Sequence, residues 1–297
     1  MRKFITVFTI IFCITFLFSG VAFAKSYTKN EIEHFKELGF TEDEIANFDD
    51  REYQEYSKLN GKVISSVQKF YRVTPKEGFV EISKNQAIKE VFNYREKKRI
   101  KKNDNNKISL SSISILSGGT DTNSCSWMTQ TTTVTDLGNK QFLFKNSFTW
   151  LTEPIWTLND VVAITHSSST STISGSEYLK YIYDRWFYDD GIPLWQVDTI
   201  TKTYYKAYAK NVNGYAFVFD LLGSDGGYVV ENNRGYMVYK VNATPSNFIG
   251  YSNAFGHYAH QQVALLFGID LFSGSMSVSP SFAFDQAPDT DVQFYIK

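Results

Sequence analysis

TKTYYKAYAKNVNGYAFVFDL, residues 201–221, is the stretch that decides the fold class. Its first half alternates, with Tyr205, Ala207 and Ala209 on one face and Lys202, Tyr204, Lys206, Tyr208 and Lys210 on the other. A period of two is what a half-buried strand requires. Asn213-Gly214 supplies adjacent residues that tolerate positive φ, the strongest short hairpin signal. Tyr215, Phe217, Phe219 and Leu221 then alternate with Ala216, Val218 and Asp220 in a returning strand. Asp225-Gly226-Gly227 marks another turn, 228–231 a third strand, and Asn232-Asn233-Arg234-Gly235 the turn into a fourth over 235–241. The expectation is a four-strand meander.

Further strands are expected over 129–136, 141–149, 161–166, 254–266, 273–279 and 292–296. From about residue 127 onward charge thins out and Thr, Ser, Tyr, Phe and Val rise, the set that suits a pleated, half-buried surface. Residues 174–188 allow two readings. Ser174-Gly175-Ser176-Glu177 fits a capping box and Leu179, Ile182, Tyr183 and Trp186 a helical stripe, while the aromatics of 181–188 equally suit a strand. Strands without βαβ alternation predict a mainly β protein, with an antiparallel β-sandwich-like domain over 123–297.

A small α-helical N-terminal region, 25–94, is expected before it. Thr28 or Asn30 can cap a helix through Ile32, Phe35 and Leu38, which Gly39 stops. Thr41 and Glu44 form a capping box for a second helix, and Asp49 or Asp50 caps a third, ending near Gly61. Phe35, Leu38, Phe40, Ile45, Phe48, Tyr53 and Tyr56 would supply their shared apolar side. A strand and then a helix over 85–95 would close the region. Residues 95–122, basic and then rich in Ser and Gly, read as a linker between domains. Its run around Lys98 and Arg99 is a candidate for cutting by an extracellular protease, which would make 25–94 a pro-region.

Arg2 and Lys3, an uncharged run from Phe4 to Phe18, and Ala22-Phe23-Ala24 form the three parts of a secretory signal, with cleavage expected after Ala24. The run is shorter than the ~20 residues of a membrane span, so the mature chain is expected to be extracellular, without a transmembrane span. Removing residues 1–24 takes Cys13 away and leaves Cys125 as the lone thiol, buried and inert or paired between molecules. A net charge of −1 argues against a nucleic-acid partner.

The sequence holds no G-x-S-x-G, H-E-x-x-H, P-loop or paired C-x-x-C motif. His257 and His260, three apart on an expected strand, would point to opposite faces and not share a metal. His166 stands before a Ser/Thr-rich run in which a triad would need a carboxylate brought in by the fold. Asp285, Asp289 and Asp291 crowd a turn-like stretch, as do Asp189 and Asp190. Such clusters suit Ca²⁺ or a solvated turn. Trp186, Tyr188 and Trp195 beside acidic residues suit either a platform for a sugar ring or core packing. Thr129–Thr135 and 167–174 have the Ser/Thr alternation of pore-forming hairpins, although 167–172 has no apolar partners and reads better as a surface loop.

Leu38-Gly39-Phe40-Thr41, Glu44-Ile45, Glu52-Tyr53 and Tyr56 resemble a leader segment in exported proteins of low-GC Gram-positive bacteria. Gly256-His257-Tyr258-Ala259-His260-Gln261 and Ser277-Val278-Ser279-Pro280 are similar to the C-termini of uncharacterised secreted proteins of that group. The resemblance implies location and β-architecture and carries over no functional residue. The expected function is therefore a secreted, non-enzymatic protein that binds an extracellular or cell-surface ligand such as a glycan. The alternatives are a pore-forming or antagonistic toxin activated by cleavage in the linker, with a tongue over 129–175, and a secreted hydrolase.

Overall fold

A computed structural model describes residues 27–105, 125–189, 192–225 and 227–297. The leader and its Ala24 lie outside them. Helices α1 (Lys29–Glu37), α2 (Glu42–Ala46) and α3 (Asp50–Tyr56) lead into strands β1 (Lys62–Thr74) and β2 (Gly78–Ile82) and helix α4 (Lys84–Asn105). The rest is strand: β3 (Ser126–Gly138), β4 (Gln141–Trp150), β5 (Asn159–His166), β6 (Thr170–Thr172), β7 (Tyr178–Asp189), β8 (Ile192–Tyr204), β9 (Ala209–Asn211), β10 (Gly214–Asp220) and β11 (Ser224–Asp225). Then follow β12 (Tyr228–Ala243), β13 (Gly250–Gln261), β14 (Gly268–Phe272), β15 (Ser275–Ser279), β16 (Phe284–Gln286) and β17 (Thr290–Ile296). The molecule is mainly antiparallel β with short N-terminal helices.

The large sheet has the order β2-β1-β3-β4-β12-β7-β8, with β6 and β11 added on β12. The small sheet runs β16-β13-β5-β10-β9, with β17 also on β13. Their inner faces share one aromatic-rich core, including Phe144, Phe148, Tyr181, Phe217, Tyr239 and Tyr258. The sheets approach so closely at β13 that a Cβ on Gly256 would lie 1.9 Å from Thr132 Oγ1. Both outer faces are covered in part as well. The β14–β15 hairpin packs Leu271 and Val278 onto Val161, Ala163, Ala216 and Ala259 of the small sheet, and the N-terminal helices cover part of the large one.

Those helices start as the sequence predicts. Capping boxes pair Thr28 with Glu31, Thr41 with Glu44, and Asp49 with Glu52. Gly39 takes φ +95°, which ends α1 and turns the chain into α2. Phe35, Leu38, Phe40, Ile45, Phe48 and Tyr56 are buried together, with Tyr53 partly so. They do not form a free bundle, because Leu143, Tyr178, Ile182, Tyr236 and Val238 of the large sheet complete the cluster.

Four expectations change. Residues 62–74, expected within the helical region, form β1, which pairs along β3 and makes a hairpin with β2, the strand expected before the 85–95 helix. The helix expected over 85–95 runs on to Asn105, through the start of the expected linker. Its Lys, Arg and Glu are good helix formers, and a helix docked through Ala87 and Val91 needs no further burial to continue. Residues 106–124 lie outside the described residues.

The meander is not one either. β8 belongs to the large sheet and β9–β10, joined at the Asn213-Gly214 hairpin, to the small sheet. The crossing at 205–208 preserves the alternation, since period two reports a face and not a sheet. Asn232-Asn233 is a bulge inside the continuous strand β12, with Asn232 at φ 54°. Finally, residues 273–274 turn between β14 and β15, so 273–279 is not one strand.

Candidate functional site

β7 and β8 form a hairpin of 12 and 13 residues at the end of the large sheet. On one side β7 pairs with β12; on the other, β8 has no strand neighbour among the described residues. The register sorts the side chains into two faces. Leu179 lies opposite Tyr204 and Tyr183 opposite Ile200, toward the core; Lys180 lies opposite Thr203 and Asp184 opposite Thr199, away from it. Tyr181 opposite Lys202 and Ile182 opposite Thr201 break the rule in one member each. The ambiguous stretch 174–188 is thus a strand. Every residue from Tyr178 to Asp184 is buried, because the sandwich core lies under one face and the helices over the other.

Trp186, Tyr188 and Trp195 all fall at the closed end of this hairpin, where Phe187 is the register partner of Trp195 and Tyr188 of Pro193. Trp186 is half-buried, and among the described residues its Nε1 has no hydrogen-bond partner. The side chains of Tyr188 and Trp195 are outside what is described. Below the tip, Arg185 pairs with Asp198 across the hairpin. Asp184 accepts from Thr199, Asn232 and Arg234.

The three C-terminal aspartates have separate partners. Asp289 Oδ1 accepts from His257 Nδ1 at 2.6 Å, and Asp291 accepts from Asn253 Nδ2 at 2.8 Å. Asp285 is half-buried, and that burial raises its pKa against the opposing pull of His260. Among the described residues no group of three His, Cys, Asp or Glu is placed to hold a metal. Lys98 stands on α4 and pairs with Glu153 at 2.5 Å; Arg99 follows it on the same helix, its side chain undescribed.

The histidines do meet carboxylates, through pairings that join distant parts of the chain. His260 lies between Asp160 and Asp285 in register. Its Nδ1 is 2.8 Å from Asp160 Oδ1, and Tyr258 donates to the other oxygen of that carboxylate. His257 bridges Asp289 to Thr165, whose Oγ1 is 2.8 Å from Nε2. That is the order of a carboxylate–imidazole–hydroxyl relay, but His257 and Thr165 are 2 % and 0 % exposed, so no acyl carbon can reach the hydroxyl. His166 has no carboxylate. Its Nδ1 faces the Ser167 carbonyl and Thr170 Oγ1, and burial lowers its pKa.

No family model and no curated protein matches the chain. Among solved structures, one described as a pore forming protein is 9% identical over 57% of this chain and 85% of its own, with a TM-score of 0.25. Clostridium perfringens delta-toxin is 8% identical over 57% and 83%, with a TM-score of 0.23. A structure described as AvmM, which catalyses macrocyclization in alchivemycin A biosynthesis, is 11% identical over 53% and 80%, with a TM-score of 0.24. The likeness to pore-forming toxins is thus distant and structural, and at TM-scores of this size it carries neither site nor activity to this chain.

Proposed function

We propose that this is an exported β-pore-forming protein whose membrane-spanning element is the β7–β8 hairpin. The observation that supports the reading is the two-faced register of that hairpin at a sheet edge. A spanning β-strand needs about 9–11 residues with lipid-facing and lumen-facing side chains in alternation. Leu179, Tyr183, Ile200 and Tyr204 would supply the first set, and Lys180, Asp184, Thr199 and Thr203 the second. Trp186, Phe187, Tyr188 and Trp195 near the tip are the residue types that settle at a membrane–water interface. The secretory leader brings such a protein to its target, and the unpaired edge of β8 is where neighbouring copies would add strands.

Residues 129–175 serve less well as the tongue, because β3 and β4 are paired on both sides, to β1 and β12. Freeing β7–β8 breaks a single strand ladder, β7–β12, together with the side-chain contacts of β7 such as Lys180–Glu52 and Asp184–Arg234. Binding to a cell-surface ligand is then the first step of the same action, and the buried Thr165 hydroxyl gives the hydrolase alternative no accessible nucleophile.

Release of calcein from phosphatidylcholine–cholesterol vesicles tests this. Cysteines at Arg185 and Val230, register partners across β7 and β12, would lock the hairpin when oxidised. Dye release by the unmodified chain, lost in the oxidised variant and restored by reduction, is the expected result. No release by the unmodified chain, or equal release by the locked form, overturns the reading.

A further inference from the structure

Between the α1–α2 turn and the outer face of the large sheet lies an open cleft of about 360 Å³, within the size range of small-molecule sites. Its floor is a grid of neutral polar side chains set by the sheet register. Gln68 lies opposite Thr131 across β1 and β3, and Thr129 opposite Thr149 across β3 and β4. Ser66 and Ser147 sit beside them but are engaged, Ser66 with Thr133 and Ser147 with Glu44. The side chains of Gln68, Thr129, Thr131 and Thr149 make no hydrogen bond to any described residue. Strand spacing sets these groups about 4.8 Å apart across the sheet.

The charges around the cleft are already matched. Lys145 Nζ donates to Glu44, Arg234 holds Asp43 at 2.6 and 3.0 Å, and Lys36 reaches Glu42 at 2.6 Å. An anionic or cationic ligand would find no uncompensated opposite charge and would lose its hydration shell for nothing. A peptide recognised through its backbone needs a free strand edge. β3 and β4 are paired on both sides, and β1, which pairs with β2 only from Phe70 on, has its open edge over 62–69 in the plane of the sheet, beside the floor and not on it. What remains is a ligand that meets side-chain hydroxyls and an amide with its own neutral donors and acceptors.

We propose that this cleft binds a neutral carbohydrate, of mono- or disaccharide size, through Gln68, Thr129, Thr131 and Thr149. The four recognising residues lie on β1, β3 and β4, the hairpin adds only Ile182 to the lining, and sugar binding does not depend on its inserting into a membrane. Membrane action and sugar binding can therefore fail independently.

The test is saturation-transfer NMR on the full chain. The probes are the methyl glycosides of glucose, galactose, mannose and N-acetylglucosamine, with lactose and maltose. N-acetylneuraminic acid and phosphocholine serve as charged comparisons. Transfer to at least one neutral sugar is expected, with Kd raised about tenfold in Thr131→Val combined with Gln68→Leu, the loss of two neutral hydrogen bonds. Thr131 becomes another β-branched residue, which suits the strand. Circular dichroism checks the fold, and Thr149→Val repeats the test from the neighbouring strand. Thr201→Val on the hairpin should leave Kd unchanged. The proposal is overturned if no neutral sugar shows transfer, if only the charged probes do, or if folded variants bind as tightly as the original chain.

Discussion

Successive residues of β4 meet different chemistry on the two faces of the large sheet. Phe144 and Phe148 point inward, where Phe144 packs edge-on to Tyr239 and Phe294, and Phe148 stacks on Phe219. Lys145 and Ser147, between them in sequence, point outward to one carboxylate, Glu44 of α2. Two strands away and two rungs along, Lys180 meets Glu52 of α3, which also accepts from the hydroxyls of Tyr178 and Tyr236. The inner seam is held by buried area and dispersion, which tolerate swaps of similar volume. The outer seam includes buried ions whose attraction must offset a large desolvation penalty. Burial lowers the pKa of Lys145 even with Glu44 beside it. The contrast teaches what each seam specifies. An aromatic interior accepts several partners of similar volume, whereas Glu44 and Glu52 fit one placement of the helices.

The largest effect should come from breaking the outer seam on one side. Glu52→Ala leaves Lys180 buried with the Asn47 carbonyl and, at 3.8 Å, the partly exposed Asp49. A loss of about 3–5 kcal/mol in urea unfolding is expected, as large as the about 3–5 kcal/mol for Phe144→Ala inside the sandwich. The seams then part company. Replacing both ends of the other pair, Glu44→Leu with Lys145→Met, should destabilise less than Glu44→Leu alone, with a coupling of about 0.5–3 kcal/mol. Additive losses would mean the outer seam behaves like the inner one.

How far this contrast was legible in the sequence depends on sequence separation. The capping box at Thr41–Glu44 and the N-cap offered at Asp49 or Asp50 are local, and α2 and α3 start there, with Glu44 and Glu52 closing the boxes. The second task of the same glutamates was not legible, because Lys145 and Lys180 lie 101 and 128 residues away. The Asn213-Gly214 hairpin is local and was readable; whether β8 and β10 share a sheet is not local, and they do not. Residues 178–184 gave no period of two because they are covered on both faces. Of the site, the aromatics at the tip of β7–β8 stood out by composition. The cleft floor did not, since Gln68, Thr131 and Thr149 become neighbours only through register. The His260–Asp160 and His257–Asp289 contacts were equally hidden, being separated by 100 and 32 residues.

The inner seam has its own titratable point. His166 rests against the rings of Phe144 and Tyr239. The Ser167 carbonyl can only accept, so Nδ1 carries the proton, and the buried Nε2 has no partner among the described residues. Protonating Nε2 would place an unpaired N–H⁺ in apolar surroundings, and burial accordingly lowers the pKa from 6.5. A lowered value means the unfolded chain binds the proton more readily. The stabilisation is therefore complete above 6.5 and is lost as pH falls through the folded-state value. The urea midpoint should drop between about pH 7.5 and about pH 5. His166→Asn, which cannot be protonated there, should reduce that drop, and an unchanged slope would remove His166 as its source.

The smallest effect separates a capping box from what its glutamate touches. Thr28 and Glu31 cap α1 with the same reciprocal bonds as the other two boxes, but this box is exposed and its glutamate also accepts from the Tyr53 hydroxyl of α3. Thr28→Ala should therefore show only the ordinary value of an N-cap, about 1 kcal/mol. Asp49→Ala removes a cap of the same kind from α3, where the glutamate it holds is the one facing Lys180. Losing the Asp49 carboxylate removes the acceptor of the Glu52 N–H, while the backbone N–H of residue 49 still donates to the Glu52 carboxylate, and it also removes a negative charge 3.8 Å from Lys180. Urea unfolding of the two variants side by side should give the larger loss for Asp49→Ala. Equal losses would mean that Lys180, Tyr178 and Tyr236 hold Glu52 in place without help from the helix terminus.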